Sequence, residues 1–434
     1  MALSGRALAE DLYAFALTAS ELKLYCNNCL KCMEGLKKCG ACEQLFYCSQ
    51  ECQRADWKLH KVECKATQFH KKMAGDSMRL AMRIIALINL KNYGQVTESY
   101  VPSGTRSFLT LIDHGDFLES SSEYFCAEYV KYAVPPHPDS EVIKSVYKKI
   151  TINGFGVTNS MGTLIGHGLC IKLSAANHSC KPITRVCFRN RTAMLVPIYP
   201  NQDPSSLEGA FHSYIDELQT VSARQAELKK KYNFTCVCEG CMDEERNAKM
   251  EAWACAACVK GPVPNTIDGC CEDCGWQMTQ DHYELCRAAE ESAKASKARI
   301  ENEAISLKDR KGLCEKLLEL YQDTLHEYNV YKVLPHRLLF FAASIAKDVN
   351  EAEKHGKILL ATMIRYQGKT DPIVLLKKWQ IAQLCHGKGS YLEALKLLRE
   401  IQAPLEKIYT SDSPVSQNIN RMIVAAQTRL GASI

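Results

Sequence analysis

Apolar and polar positions follow one another in rhythms that change along the chain. Residues 12–18 make one short strand-like run. Residues 77–90, carrying Met78, Leu80, Met82, Ile84, Ile85, Leu87 and Ile88, predict a buried helix. Polar and helical stretches continue to about residue 150. At Ile152 the character shifts to β-favouring pieces bounded by Gly and Asn, at 152–158, 164–173, 185–188 and 193–198. Arg189-Asn190-Arg191 reads as the turn of a hairpin between the last two. Residues 201–206 are a polar loop, and 211–215 open another apolar run. Beyond residue 280 the pattern is almost wholly helical: 338–346 with 358–364 predict one helix pair, and 379–384 with 391–401 another, across a turn at Gly387 and Gly389. The pairs Glu351-Ala352 and Glu393-Ala394 stand 42 residues apart, near the period of stacked helical hairpins.

Composition adds bounds more than direction. At 434 residues, 46% hydrophobic and 24% charged, the chain has apolar content for about two to four domains. The net charge of +5 does not by itself argue for nucleic acid. Residues 21–75 hold ten Lys/Arg against six Asp/Glu, a local basic excess that a solvated face explains as well as an acidic partner. No apolar run approaches membrane length. The apolar stretch 12–19 follows Glu10 and Asp11, where a secretion signal would carry basic residues. The expected setting is a reducing, intracellular one, in which 23 cysteines mean metal sites and buried thiols.

Cysteine spacing changes the picture most. Cys26, Cys29, Cys39, Cys42, Cys48, Cys52, His60 and Cys64 put eight metal-type ligands into 39 residues, with Cys32 a ninth thiol beside them. Close pairs of soft ligands suit tetrahedral Zn²⁺, and eight ligands make two closed, structural sites. Cys236, Cys238 and Cys241 supply three more thiolates and need a fourth. Cys180 is the best donor elsewhere, and Cys255 or Cys258 are the local alternatives. Those two pair better with Cys271 and Cys274, as C-x2-C-x12-C-x2-C, a ribbon-like fourth site in which Cys270 competes with Cys271.

Taken in order, the eight-ligand module, Asn177-His178-Ser179-Cys180, Ser213-Tyr214, and Tyr232, Phe234, Cys236, Cys238, Cys241 resemble the SMYD family. Its members are protein lysine methyltransferases whose SET domain is interrupted by a MYND zinc finger. The resemblance covers about residues 12–434 and implies an α+β fold: a β-rich SET core interrupted by the MYND module, a cysteine-rich post-SET segment and a helical, TPR-like C-terminal lobe. It implies domains at 1–25 (a truncated N-terminal part of SET), 26–64 (MYND), 65–150 (helical insertion of SET), 151–234 (SET core), 235–277 (post-SET) and 278–434 (helical lobe).

Residue by residue, the resemblance puts Asn153, Ser174, Asn177 and His178 on an S-adenosylmethionine site. It makes Tyr214 the tyrosine beside the transferring methyl group, Tyr232 a wall of the lysine channel and Phe234 the adenine packer. Cys180 with Cys236, Cys238 and Cys241 becomes the post-SET zinc site. Implied partners are a histone or non-histone lysine substrate and proline-rich peptides docking near Gln53 and Trp57, in nucleus and cytoplasm. A nucleic-acid partner draws little from a small basic excess without interleaved aromatics.

The family's glycine-rich Gly-x-Gly turn lies about two dozen residues before the segment matching Tyr13, whereas twelve residues precede Tyr13 here. Gly5-Arg6-Ala7-Leu8 is at most a remnant of that turn. The expected activity is methyl transfer, and the competing expectation is a degenerate SET/MYND scaffold that binds protein partners, for instance in transcriptional regulation.

Overall fold

The computed structural model describes residues 8–90, 98–99, 105–202, 204, 206–258 and 261–431, so residues 5–7 of the Gly5–Leu8 remnant lie outside the described residues. The chain is α+β and divides into two compact units. The first comprises Met1–Asn177, Ile183–His212 and Lys231–Asn233; the second comprises His178–Pro182, Ser213–Lys230 and Phe234–Ile434.

The first unit holds strands β1 (Ala9–Asp11), β2 (Ala14–Leu17), β3 (Lys37–Lys38) and β4 (Phe46–Tyr47), then helices α1 (Gln50–His70) and α2 (Asp76–Ile88). The short pair β5 (Glu98–Ser99) and β6 (Thr105–Arg106) leads to α3 (Glu119–Tyr132) and α4 (Ser140–Asn153). Strands β7 (Gly154–Thr158), β8 (Leu164–Leu169), β9 (Thr184–Arg189) and β10 (Thr192–Pro197) complete it. Two three-stranded antiparallel sheets, ordered β1-β10-β9 and β2-β8-β7, form the β-rich core. Arg189 pairs with Thr192 across the β9–β10 turn, where Asn190 takes a left-handed φ of 53°. That is a conformation asparagine tolerates better than most residues.

Helix α2 is enclosed on all sides, from Arg79 to Leu87, and packs Leu80, Ile84 and Leu87 with Ile143 and Val146 of α4. Its two charges inside that enclosure, Arg79 and Arg83, are both ion-paired. The predicted run at 12–18 is instead broken. The Leu12 N–H donates to Arg191 O and the Tyr13 N–H to Leu169 O, handing the chain from one sheet to the other between β1 and β2. The strand predicted from Ile152 begins at Gly154, because α4 runs on through Asn153. The run 211–215 forms no strand. Its Phe211 carbonyl accepts from the N–H groups of Ile183 and Thr184.

The second unit contains α5 (Val221–Tyr232, its last two residues counted with the first unit), α6 (Glu239–Met242), α7 (Glu244–Glu251) and the pair β11 (Trp253–Ala254) and β12 (Pro262–Val263). A run of helices follows: α8 (Gln280–Glu301), α9 (Leu307–Tyr321), α10 (Val333–Ala346), α11 (Val349–Gln367), α12 (Pro372–Gly387), α13 (Tyr391–Tyr409) and α14 (Pro414–Gly431). From α8 onward each helix packs on the next, the arrangement of stacked hairpins. Aspartates cap α11 and α12: Asp348 accepts from Glu351 N–H and Asp371 from Ile373 N–H, with Pro372 opening α12. Among the described residues no helix is long and apolar enough to cross a membrane.

Candidate functional site

In the first unit Cys26, Cys29, Cys48 and Cys52 bring their Sγ atoms within 4.8 Å of one another, and Cys39, Cys42, His60 and Cys64 do the same with their ligand atoms. The pairs thus cross, the first joining the third and the second joining the fourth. Sγ separations are 3.7 Å for Cys29–Cys48 and 3.4 Å for Cys48–Cys52, and Cys42 Sγ lies 3.5 Å from His60 Nε2. Thiolates about 2.3 Å from a tetrahedral Zn²⁺ sit about 3.8 Å from each other, so both groups fit closed zinc sites. Helix α1 supplies Cys52, and also His60 and Cys64, which face one way because they are four residues apart. Cys32 is exposed and stands outside both groups.

Behind the second group lies a buried ionic network that the cysteine spacing does not announce. His60 Nδ1 is 3.0 Å from Glu63 Oε1, which turns Nε2 toward the thiolates. Glu63 accepts from Arg79 Nε at 2.9 Å and from Arg83 Nη2 at 2.6 Å. Arg83 also forks onto Asp56 with two bonds of 2.9 Å, and Tyr47 Oη donates to the same carboxylate at 2.8 Å. Arg79 Nη1 reaches Leu17 O on β2 at 2.9 Å. Burial pushes the Glu63 carboxyl up, but the Arg83 and Arg79 charges overcome it and hold it below the usual carboxylate range. The sequence signal was two arginines four apart inside an apolar helix, with a carboxylate three residues after a histidine ligand.

Glu10 on β1 fixes the segment that leads to Asn177. Its carboxylate accepts the N–H groups of Ile171, Lys172 and Leu173 at 2.8–2.9 Å, ending β8 early and starting a short 3-10 turn at Leu173–Ala175. Ser174 Oγ donates to Ile171 O at 3.0 Å. Asn177 has an exposed side chain, and its carbonyl accepts from His212 N–H. Asn153 is buried, with Nδ2 donating to Ile112 O and Lys149 O.

In the second unit Cys180 joins Cys236, Cys238 and Cys241, with ligand atoms within 4.8 Å and Cys180–Cys241 Sγ at 3.6 Å. A Cβ on Gly240 would lie 2.8 Å from the Cys180 carbonyl carbon, so the Cys180 loop can sit this close only over a glycine. Side chains of α5 and α7 hold the loop carbonyls. Arg224, fully buried, bonds Gly240 O, Gln225 bonds Cys236 O, and Asn247 bonds Gly240 O and Cys241 O.

His178 couples this cluster to Tyr214. The Tyr214 N–H donates to His178 Nδ1 at 3.0 Å, which leaves the ring proton on Nε2, 3.2 Å from Cys180 Sγ. Burial pushes His178 down to about 4, against the opposing pull of Cys238 and Glu217, so the ring is neutral at pH 7. The rings of Tyr214 and Phe234 lie 5.2 and 6.2 Å from the imidazole. Tyr232 is the last residue of α5 and is half-buried. The same unit collects Cys255, Cys258, Cys271 and Cys274 into a fourth group, which excludes Cys270.

Comparison with known proteins places this geometry among relatives. A model of the MYND finger matches residues 26–64. Nearly the whole chain is similar to SET domain-containing protein 14 of Caenorhabditis elegans: 52% identity over 427 residues, 98% of this chain and 99% of that one. N-lysine methyltransferase SMYD2 of Bos taurus is 31% identical over 247 residues, and that of Homo sapiens 30% over the same number. The chain spans about half the length of these methyltransferases, 55% in both cases. A solved structure of kinesin light chain TPR-like repeats from Podosopora anserina covers 34% of this chain and 66% of its own at 17% identity. Its TM-score of 0.25 is too low to carry weight.

Proposed function

Since the chain belongs to the SMYD family of SET- and MYND-domain proteins, we propose that it is a protein-lysine N-methyltransferase using S-adenosylmethionine on histone or non-histone lysines. The observation that carries this reading is the His178 bridge, which ties the Tyr214 backbone to a thiolate of the Cys180 cluster with Phe234 alongside.

A neutral imidazole with two aromatic rings around it suits a flat adenine and a cationic sulfonium, so the residues present fit the cofactor. When bound, S-adenosylmethionine supplies an electrophilic methyl group on positively charged sulfur. Phe234 would hold the adenine, and Tyr214 would offer an aromatic face and an oxygen to positive charge. Tyr232 takes the role of a channel wall in this reading, and an aromatic face there would disfavour the ammonium and leave the lysine amine neutral. The zinc clusters take no part in bond making, because four protein ligands leave no open position. The same reading gives cofactor roles to Asn153, Ser174 and Asn177, each open to its own alanine variant. Trp57, 44% exposed on α1 near Gln53, is the proposed contact for proline-rich peptides.

Calorimetry of the full chain with S-adenosylmethionine, followed by labelled methyl transfer to histones and cell extract, tests the proposal. Binding and transfer are expected, with Tyr214→Phe lowering kcat about 100- to 1,000-fold at unchanged zinc content. No heat at millimolar cofactor would leave the scaffold reading in its place.

A further inference from the structure

We propose that Cys255, Cys258, Cys271 and Cys274 hold a fourth zinc ion, which fastens the ribbon to the α8–α9 helix pair and is the first of the four to leave. This proposal goes beyond methyl transfer and stands or falls independently of it.

The four thiolates lie within 4.8 Å of one another, with Cys255–Cys274 at 3.6 Å and Cys258–Cys271 at 3.8 Å. Those are tetrahedral S···S spacings for zinc at about 2.3 Å, far from the bonded sulfur distance of about 2.05 Å. Backbone N–H groups already point at the sulfurs: Ala257 and Cys258 toward Cys255 Sγ at 3.3 and 3.5 Å, and Gly261 toward Cys258 Sγ at 3.3 Å. Such donors are the outer hydrogen bonds that orient metal-bound ligands. A Cβ on Gly261 would fall 2.2 Å from Cys271 Sγ, so the backbone approaches as only glycine permits. The second knuckle closes with Gly275 at φ +72° donating to Cys271 O.

Without a metal this segment has little to hold it. β11 and β12 are two residues each, and the local core is Cys255, Val263 and Cys271, with Cys258, Trp276 and Met278 partly buried beside them. So small a core needs a staple.

The strand leading into the first knuckle is wired into the connection between α9 and α10 and into the helix core beside it. Ala254 N–H donates to Thr324 O, and the Ala252 carbonyl accepts from His326 N–H and Asn329 Nδ2. Trp253, 2% exposed, packs with Cys286, Ala289, Leu317 and Leu325 of the α8–α9 core. From the other knuckle, Trp276 meets His282 of α8 edge-on at 5.3 Å. A metal joining the knuckles therefore fixes both tryptophans against the α8–α9 pair.

The order of loss follows from burial. Cys274 is the single exposed ligand in the four groups, and Cys258 beside it is half-buried. The ribbon has two buried ligands of its own, Cys255 and Cys271, but none of the other groups offers an exposed one. A chelator reaches the ribbon ion with the least prior opening of structure.

Metal analysis of the full chain should give four zinc ions, falling to three in Cys274→Ser and staying at four in Cys270→Ser. Under a mild chelator, one equivalent should leave first, together with a change in tryptophan emission. If Cys274→Ser fails to fold, alkylation of the native chain decides. Cys274 should stay shielded from iodoacetamide until chelator is added, whereas Cys32, exposed and outside every group, reacts at once. Three zinc ions with Cys274 alkylated as fast as Cys32 would overturn the site. An equivalent released first from another group, with the tryptophan signal unmoved, would overturn the order.

Discussion

The carboxylate of Glu63 governs how firmly His60 can serve as a ligand. It holds Nδ1, so Nε2 faces the thiolates without a choice of tautomer, and Arg79 and Arg83 in turn hold the carboxylate. Replacing Glu63 by Gln should weaken zinc at the Cys39-Cys42-His60-Cys64 group about 10- to 100-fold while sparing the neighbouring group, as read by competition with a chromophoric chelator. Equal affinity in the variant would assign the binding to the thiolates alone. At this scale the sequence was uneven. Ligands separated by two to five residues are visible because a turn brings them together, and every group contains such close ligands, but which pairs share a group, and Cys180's place in the third, are set by the fold. Glu63 left a faint local trace in its spacing from His60, but Glu10 and Arg224 were not visible. Whether a charged side chain is buried depends on partners far along the chain, and no local spacing encodes them.

Elements were legible where one rhythm ran long. Helix α2 and the β9–β10 hairpin follow their apolar patterns closely, whereas the runs expected beyond residue 330 fall inside α10 to α13, each of which is longer than its run. Boundaries slipped where hydrogen bonds to another element decided them, as at Leu12–Tyr13 and at the early end of β8 under Glu10. One such cross-element bond has a pH signature. His167 of β8 lies 2.5 Å from Asp76 in the first turn of α2. Hydrogen bonding to His167 lowers Asp76, and hydrogen bonding to Asp76 raises His167. The Asp76 contribution is complete above the ordinary carboxylate value of about 3.9 and is lost as pH falls through its lowered value. The His167 contribution is complete below about 6.5 and is lost as pH rises through its raised value. Thermal stability from this pair should therefore plateau between about pH 4 and 6.5. His167→Gln should lower Tm within that window and converge with the parent chain at alkaline pH. A constant Tm difference across the range would remove the ion pair from the account.

At the scale of the molecule, the units are not consecutive stretches of sequence. Residues His178–Pro182 and Ser213–Lys230 belong to the second unit although the first unit surrounds them in the chain. Periodicity cannot show such threading, because the first piece is a short loop and the second runs from a loop into α5. A fragment ending at residue 212 should therefore keep two zinc ions and leave Cys180 open to alkylation. A third ion in that fragment would mean that Cys180 finds ligands other than Cys236, Cys238 and Cys241. The same threading sets a timetable for synthesis. Cys180 leaves the ribosome 56 residues before Cys236, a wait of about 3 to 11 seconds at ordinary elongation rates. During that interval its thiol has none of its three companions, and an oxidant or stray metal meeting the nascent chain would divert it before the loop that completes the cluster has been made.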